Sequence, residues 1–106
     1  MFVFVKDYRF RWPVKVEVPV DGAYETQEFT GRFRVLEEAE LQAVVQQGDE
    51  ALANAVMVGF EDVSIDGAPV PYSAELLERM LQQRHVRRAV GVAYFEAMNG
   101  DLRAKN

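Results

Sequence analysis

The chain has 106 residues, of which 49% are hydrophobic, 11% aromatic and 27% charged, the balance of one folded domain rather than a disordered or low-complexity chain. It holds no cysteine and a single histidine, His85, which removes thiol nucleophiles, disulfide frameworks and thiolate zinc sites and leaves too few imidazoles for most transition-metal centres. A formal net charge of -5, from 17 acidic and 12 basic residues, argues against wholesale binding to nucleic acid or to an anionic membrane.

The opening residues, Met1 to Val5, are apolar but give way to Lys6 and Asp7. That run is too short for a secretory core and lacks a basic region before it. No stretch approaches the length of a membrane-spanning helix, so the expected location is the cytoplasm. Tyr8, Phe10, Trp12, Val14, Val16 and Val18 then share one parity, while Asp7, Arg9, Arg11, Lys15 and Glu17 take the other. Such alternation sets one face of a sheet against a core. Pro13 has no ladder donor and predicts an edge position, a bulge or a new strand start, with the strand proper over 14–20. Asp21 and Gly22 supply the positive-φ pair of a tight hairpin, and Phe29, Gly31, Phe33 and Val35 resume the alternation.

At Leu36 the period changes. Glu37, Glu38 and Glu40 suit the first turn of a helix whose apolar side is Leu41, Val44 and Val45. Gly48 ends it, and Asp49 caps a second helix with an expected apolar face of Leu52, Ala55, Val56, Gly59 and Phe60. Asp66, Gly67, Pro69 and Pro71 punctuate a loop or short irregular hairpin that uses Val63 and Ile65. Ser73 is placed to cap a third helix with the stripe Leu76, Leu77, Met80 and Leu81. A last helix carries Val86, Ala89, Val90, Ala93, Tyr94 and Ala97 and ends at Asn99 and Gly100, its alanines forming a smooth ridge suited to a close neighbour. The expectation is an α+β fold, with a β-hairpin or small antiparallel sheet over 1–36, about four packed helices over 37–100, and a tail over 101–106. Exposed strand edges leave self-association open: Pro13 and the charges can protect that edge, or it can pair with a second copy.

Charge is distributed unevenly. Ten acidic residues and no basic one lie between Arg34 and Arg79, while residues 79–106 hold six basic and two acidic. Arg79, Arg84, Arg87 and Arg88 can therefore meet Glu37, Glu38, Glu40, Asp49 or Glu50, or attract a partner of opposite charge. Three patterns suggest chemistry. Asp62, Ser64, Asp66 and Gly67 begin like a calcium loop, but Ser73 stands where the bidentate glutamate belongs, and a turn explains the same letters. Ser64, Ser73 and His85 lack the strand-to-helix elbow of a serine hydrolase. Lys6 to Trp12 interleaves bases with rings, which supports a small nucleic-acid-binding regulator as the alternative reading if both share one exposed face. No cofactor is expected.

The run from Trp12 to Val16, the turn at Val20, Asp21 and Gly22, Phe29 and Phe33 before an acidic helix, Val58 to Val63, Pro71 to Ser73 and the final Lys105 and Asn106 resemble small tail assembly chaperones of long-tailed bacteriophages and prophages. The resemblance implies a non-enzymatic, non-virion protein of the bacterial host cytoplasm. Such a protein keeps the largely helical tape measure protein soluble and recruits tail tube subunits around it. Many of these chaperones also have a longer form made by translational frameshifting. A helical client calls for an apolar groove edged by charge. Met57, Phe60, Met80, Leu81, Val90, Tyr94 and Met98 are the candidate groove residues, since methionine adapts to varied shapes, although helical stripes of this kind are commonly core. Arg84, Arg87 and Arg88 form a second candidate contact patch.

Overall fold

The computed structural model describes residues 1–100, and the expected tail over 101–106 lies outside them. Strand β1, Arg9–Val20, pairs along its whole length with β2, Ala23–Arg34. Asp21 and Gly22 take φ of 36° and 85° between them, the doubly positive turn that matches the twist of a hairpin. The strand begins five residues earlier than the sequence suggested, because Pro13 sits inside it without interrupting it. It can do so because β1 is a terminal strand of the β1-β2-β3 sheet, where a missing donor breaks no internal bond. Val14, Val16, Phe29 and Phe33 point inward and are buried, as the alternation requires.

Helices α1, Glu38–Gln47, and α2, Asp49–Val56, meet at Gly48, whose φ of 112° separates them. Helix α1 buries no residue: Leu41 and Val44 rest partly on the core and Val45 is exposed. The second helix stops four residues short of the expected end. Met57–Glu61 instead forms β3, antiparallel to β2. The register shifts there, with Arg32 opposite Gly59 and Phe33 opposite Met57, so Val58 is the extra residue of a bulge. The bulge lets both Met57 and Phe60 face the core. Their spacing of three, continuing from Val56, imitates a helical stripe, which is why periodicity pointed to a helix here.

A small hairpin of β4, Val63–Ile65, and β5, Ala68–Val70, follows, turning at Asp66 and Gly67. Helix α3, Ala74–Leu81, starts where Ser73 Oγ accepts the Leu76 N–H at 3.1 Å. Helix α4, Arg84–Asn99, lies along β1 and also touches α2 and α3. Ala97 lines the same groove as Phe10 and Trp12, and Ala89 the same groove as Lys15, so the ridge of alanines faces β1. One hydrophobic cluster joins sheet and helices, with Phe33, Val14, Val56, Val90 and Tyr94 at its centre. Among the described residues the architecture is α+β: a three-stranded antiparallel sheet, four helices and a separate two-stranded hairpin.

Candidate functional site

Most apolar side chains left outside this core gather at one place. Phe2 is 85% exposed and Phe4 73% exposed, with Met1, Val3, Val5, Tyr8 and Met98 also open to solvent. The arm formed by residues 2–5 meets Phe10 and Trp12 of β1, Val35, and Ala97 and Met98 of α4 around a groove of about 610 Å³. Beneath it lies a chain of rings. Phe10 stacks on the buried Phe33 at 5.5 Å between ring centres, Phe33 meets Tyr94 at a tilt at 6.1 Å, and Tyr94 meets Phe95 edge-on at 5.7 Å, the first and last being geometries that aromatic quadrupoles favour. The Tyr94 hydroxyl accepts the Leu36 N–H at 3.0 Å, and the Trp12 indole N–H donates to Glu96 at 3.3 Å. Phe10 and Trp12 remain partly exposed at the groove, over the buried Phe33 and Tyr94. Contiguous apolar surface of this kind is unusual unless something covers it.

The candidate residues named from sequence divide between core and surface. Met57, Phe60, Leu81, Val90 and Tyr94 are buried, Met80 is partly buried, and Met98 is 45% exposed. Among these only Met98 lines the open apolar groove. Arg84 and Arg88 are exposed. Arg87 is not: its side chain is 16% exposed, and its Nε donates to Asp49 at 3.1 Å. Its Nη1 donates to the carbonyls of Leu81 and Gln82, each at 3.1 Å. Arg87 therefore ties the end of α3 and the start of α2 to α4. Arg87→Lys should lower stability by about 1–2 kcal/mol in urea unfolding, because an ammonium cannot reproduce the planar fork, whereas the half-exposed Asp49 partner alone contributes little. An unchanged midpoint would remove this role.

The arm is the feature that sequence reading passed over. Its apolar character is plain, but a short apolar run at the start of a chain reads first as a targeting segment. The informative signal is that five apolar residues precede an aromatic strand in a chain whose core is filled elsewhere.

Other patterns resolve into local structure. Arg11 and Arg32, on neighbouring strands, both bind Glu61 of β3, at 3.0 and 2.7 Å, and Arg9 binds Asp7 at 3.2 Å. The basic side chains of β1 thus lie on the face opposite Phe10 and Trp12, and much of their charge is matched there. Asp62 accepts the Thr30 hydroxyl at 2.8 Å, and Asp66 and Gly67 make the β4–β5 turn. No cluster of three or more His, Cys, Asp or Glu suited to a metal occurs among the described residues. No described helix is long and apolar enough to cross a membrane. No family model, curated protein or solved structure matches the chain.

Proposed function

We propose that the chain is a non-enzymatic tail assembly chaperone of long-tailed bacteriophages or prophages. In this reading it works in the bacterial cytoplasm, holding the tape measure protein soluble and presenting it to tail tube subunits. The observation that supports it is the open apolar groove between the arm, the head of β1 and the end of α4, with Phe2 and Phe4 standing largely in solvent. An amphipathic helix can lay its apolar stripe in such a groove and be released again, because no covalent step is involved. Met98 at the rim adapts to different client side chains. The resemblance of the sequence to this family supplies the identity of the client.

Co-expression with a tape measure protein tests the reading. The client should stay soluble and co-purify with the wild-type chain. Both effects should be lost with Phe2→Ser/Phe4→Ser, whose melting temperature should match the wild type because neither residue belongs to the core. Insolubility of several tape measure proteins in the presence of the wild-type chain would overturn the chaperone role; capture undiminished in the double variant would overturn the groove.

A further inference from the structure

The outer edge of β1 carries a short, bounded row of free main-chain groups. A two-residue turn makes Val20 and Ala23 a hydrogen-bonded pair, and antiparallel pairs alternate, so the even-numbered residues of β1 bond to β2. The Val35 N–H to Tyr8 carbonyl bond, at 3.0 Å, continues the same parity. Odd-numbered residues therefore turn their N–H and C=O groups outward, where no strand follows among the described residues. Both prolines of the strand, Pro13 and Pro19, are odd-numbered. Each deletes an outward donor and leaves the inner ladder whole. Between them the outward N–H groups of Lys15 and Glu17 remain, framing a docking window from Val14 to Val18.

That window has a helical wall. Lys15 and Glu17 share a groove of about 650 Å³ with Arg84, Arg88, Ala89 and Val92 of α4. Helix α4 covers the even-numbered face of β1, so odd-numbered strand residues and α4 can line one groove only where it opens along the strand edge. An unpaired edge beside a helix is the arrangement in which an extended peptide adds as a strand and sets alternate side chains against the helix.

The charges select the occupant. Lys15, Arg84 and Arg88 form no ion pair among the described residues. Two carboxylates stand near Lys15 on its own face of the hairpin: Glu17, which accepts the Thr26 hydroxyl at 2.5 Å, and Glu28, its cross-strand neighbour on β2. Three cations, Lys15, Arg84 and Arg88, line the groove against the single lining carboxylate Glu17, so its lining is net positive, and Arg84 opens α4, where the helix dipole also favours negative charge. Val92, 58% exposed, with the buried Ala89 in the same groove, forms an apolar step beside the cations. We propose that this edge docks an extended acidic segment of a partner protein, added as a strand to Val14–Val18. Small apolar residues of the segment rest on Ala89 and Val92, and its carboxylates face Lys15, Arg84 and Arg88. A second copy fits less well, since the flanking prolines prevent a long edge-to-edge ladder.

The test is fluorescence anisotropy with a labelled peptide alternating glutamate and valine, beside its lysine counterpart and an analogue N-methylated at alternate residues. The acidic peptide should bind, weaken with added salt, and shift the backbone amide resonances of Lys15 and Glu17. N-methylation, Lys15→Pro and Arg84→Glu/Arg88→Glu should each weaken binding by about tenfold or more. Lys15→Pro removes an outward donor and one of the three cations but no inner ladder bond, the N-methylated peptide isolates the backbone part, and the two arginines are exposed, so melting temperatures should stay near the wild-type value. Absence of binding, equal binding of the lysine peptide, or equal binding by both variants would overturn the proposal. So would a dimer of the wild-type chain that Lys15→Pro dissociates, since the edge would then belong to a second copy. None of these measurements involves a tape measure protein, so this outcome is independent of the chaperone reading.

Discussion

Replacing Phe33 with alanine should lower the free energy of unfolding by about 3–5 kcal/mol, the range for deleting a buried aromatic ring. Phe33 has no exposed surface, and its ring joins Phe10 on the sheet to Tyr94 on α4. Its loss empties the contact between the two layers and undercuts the floor of the apolar groove at the same time. Small domains have only about 5–15 kcal/mol of stability in total, so the variant should unfold at a much lower urea concentration, with a similar slope if unfolding remains two-state. A shift below about 1 kcal/mol would mean that the layers are held together elsewhere.

Gly31→Ala should cost about 1–3 kcal/mol, although alanine ordinarily favours a strand over glycine. A Cβ at this position would stand 2.6 Å from Cε2 and 2.9 Å from Cζ of Phe33, and 3.1 Å from Cγ2 of Val14. Both neighbours are fully buried, so the ring has no free space into which to turn. The glycine is thus the seat over which Phe33 lies. Combining Gly31→Ala with Phe33→Leu should cost less than the sum of the two changes, by about 0.5–1 kcal/mol or more, because the smaller side chain relieves the clash. Strict additivity in thermal or urea unfolding would refute this contact, and a stabilising Gly31→Ala would do so outright.

Much of the fold was legible because local chemistry and tertiary packing agree. Asp21 and Gly22 demand positive φ, the alternation on either side is long, and Ser73 caps the helix that its position predicts. The reading failed at Met57–Glu61, where the bulged residue Val58 converts a period of two into a spacing of three. Pro13 misled in the other direction, since a proline at the open edge of a sheet leaves no gap in the ladder. The candidate site was harder to read for a different reason. Periodicity identifies an apolar face but not what covers it, and Phe60, Leu81, Val90 and Tyr94 are covered by the chain itself. The arm, by contrast, has no periodic pattern to announce it. Its accessibility follows from the core having already been filled by residues distant in sequence.

The direct passage from Val56, the last residue of α2, to Met57, the first of β3, has a practical consequence. The sequence invites division after residue 36 into a β half and a helical half, yet the third strand of the sheet is delivered by the second half. A fragment ending there is a lone two-stranded ribbon, marginal in water, and the remainder loses the surface on which its longest helix rests. Loss of capture by such a truncation would report collapse of the scaffold rather than removal of a binding surface. Point substitutions on the arm and on the outer edge are the tools suited to mapping what this molecule holds.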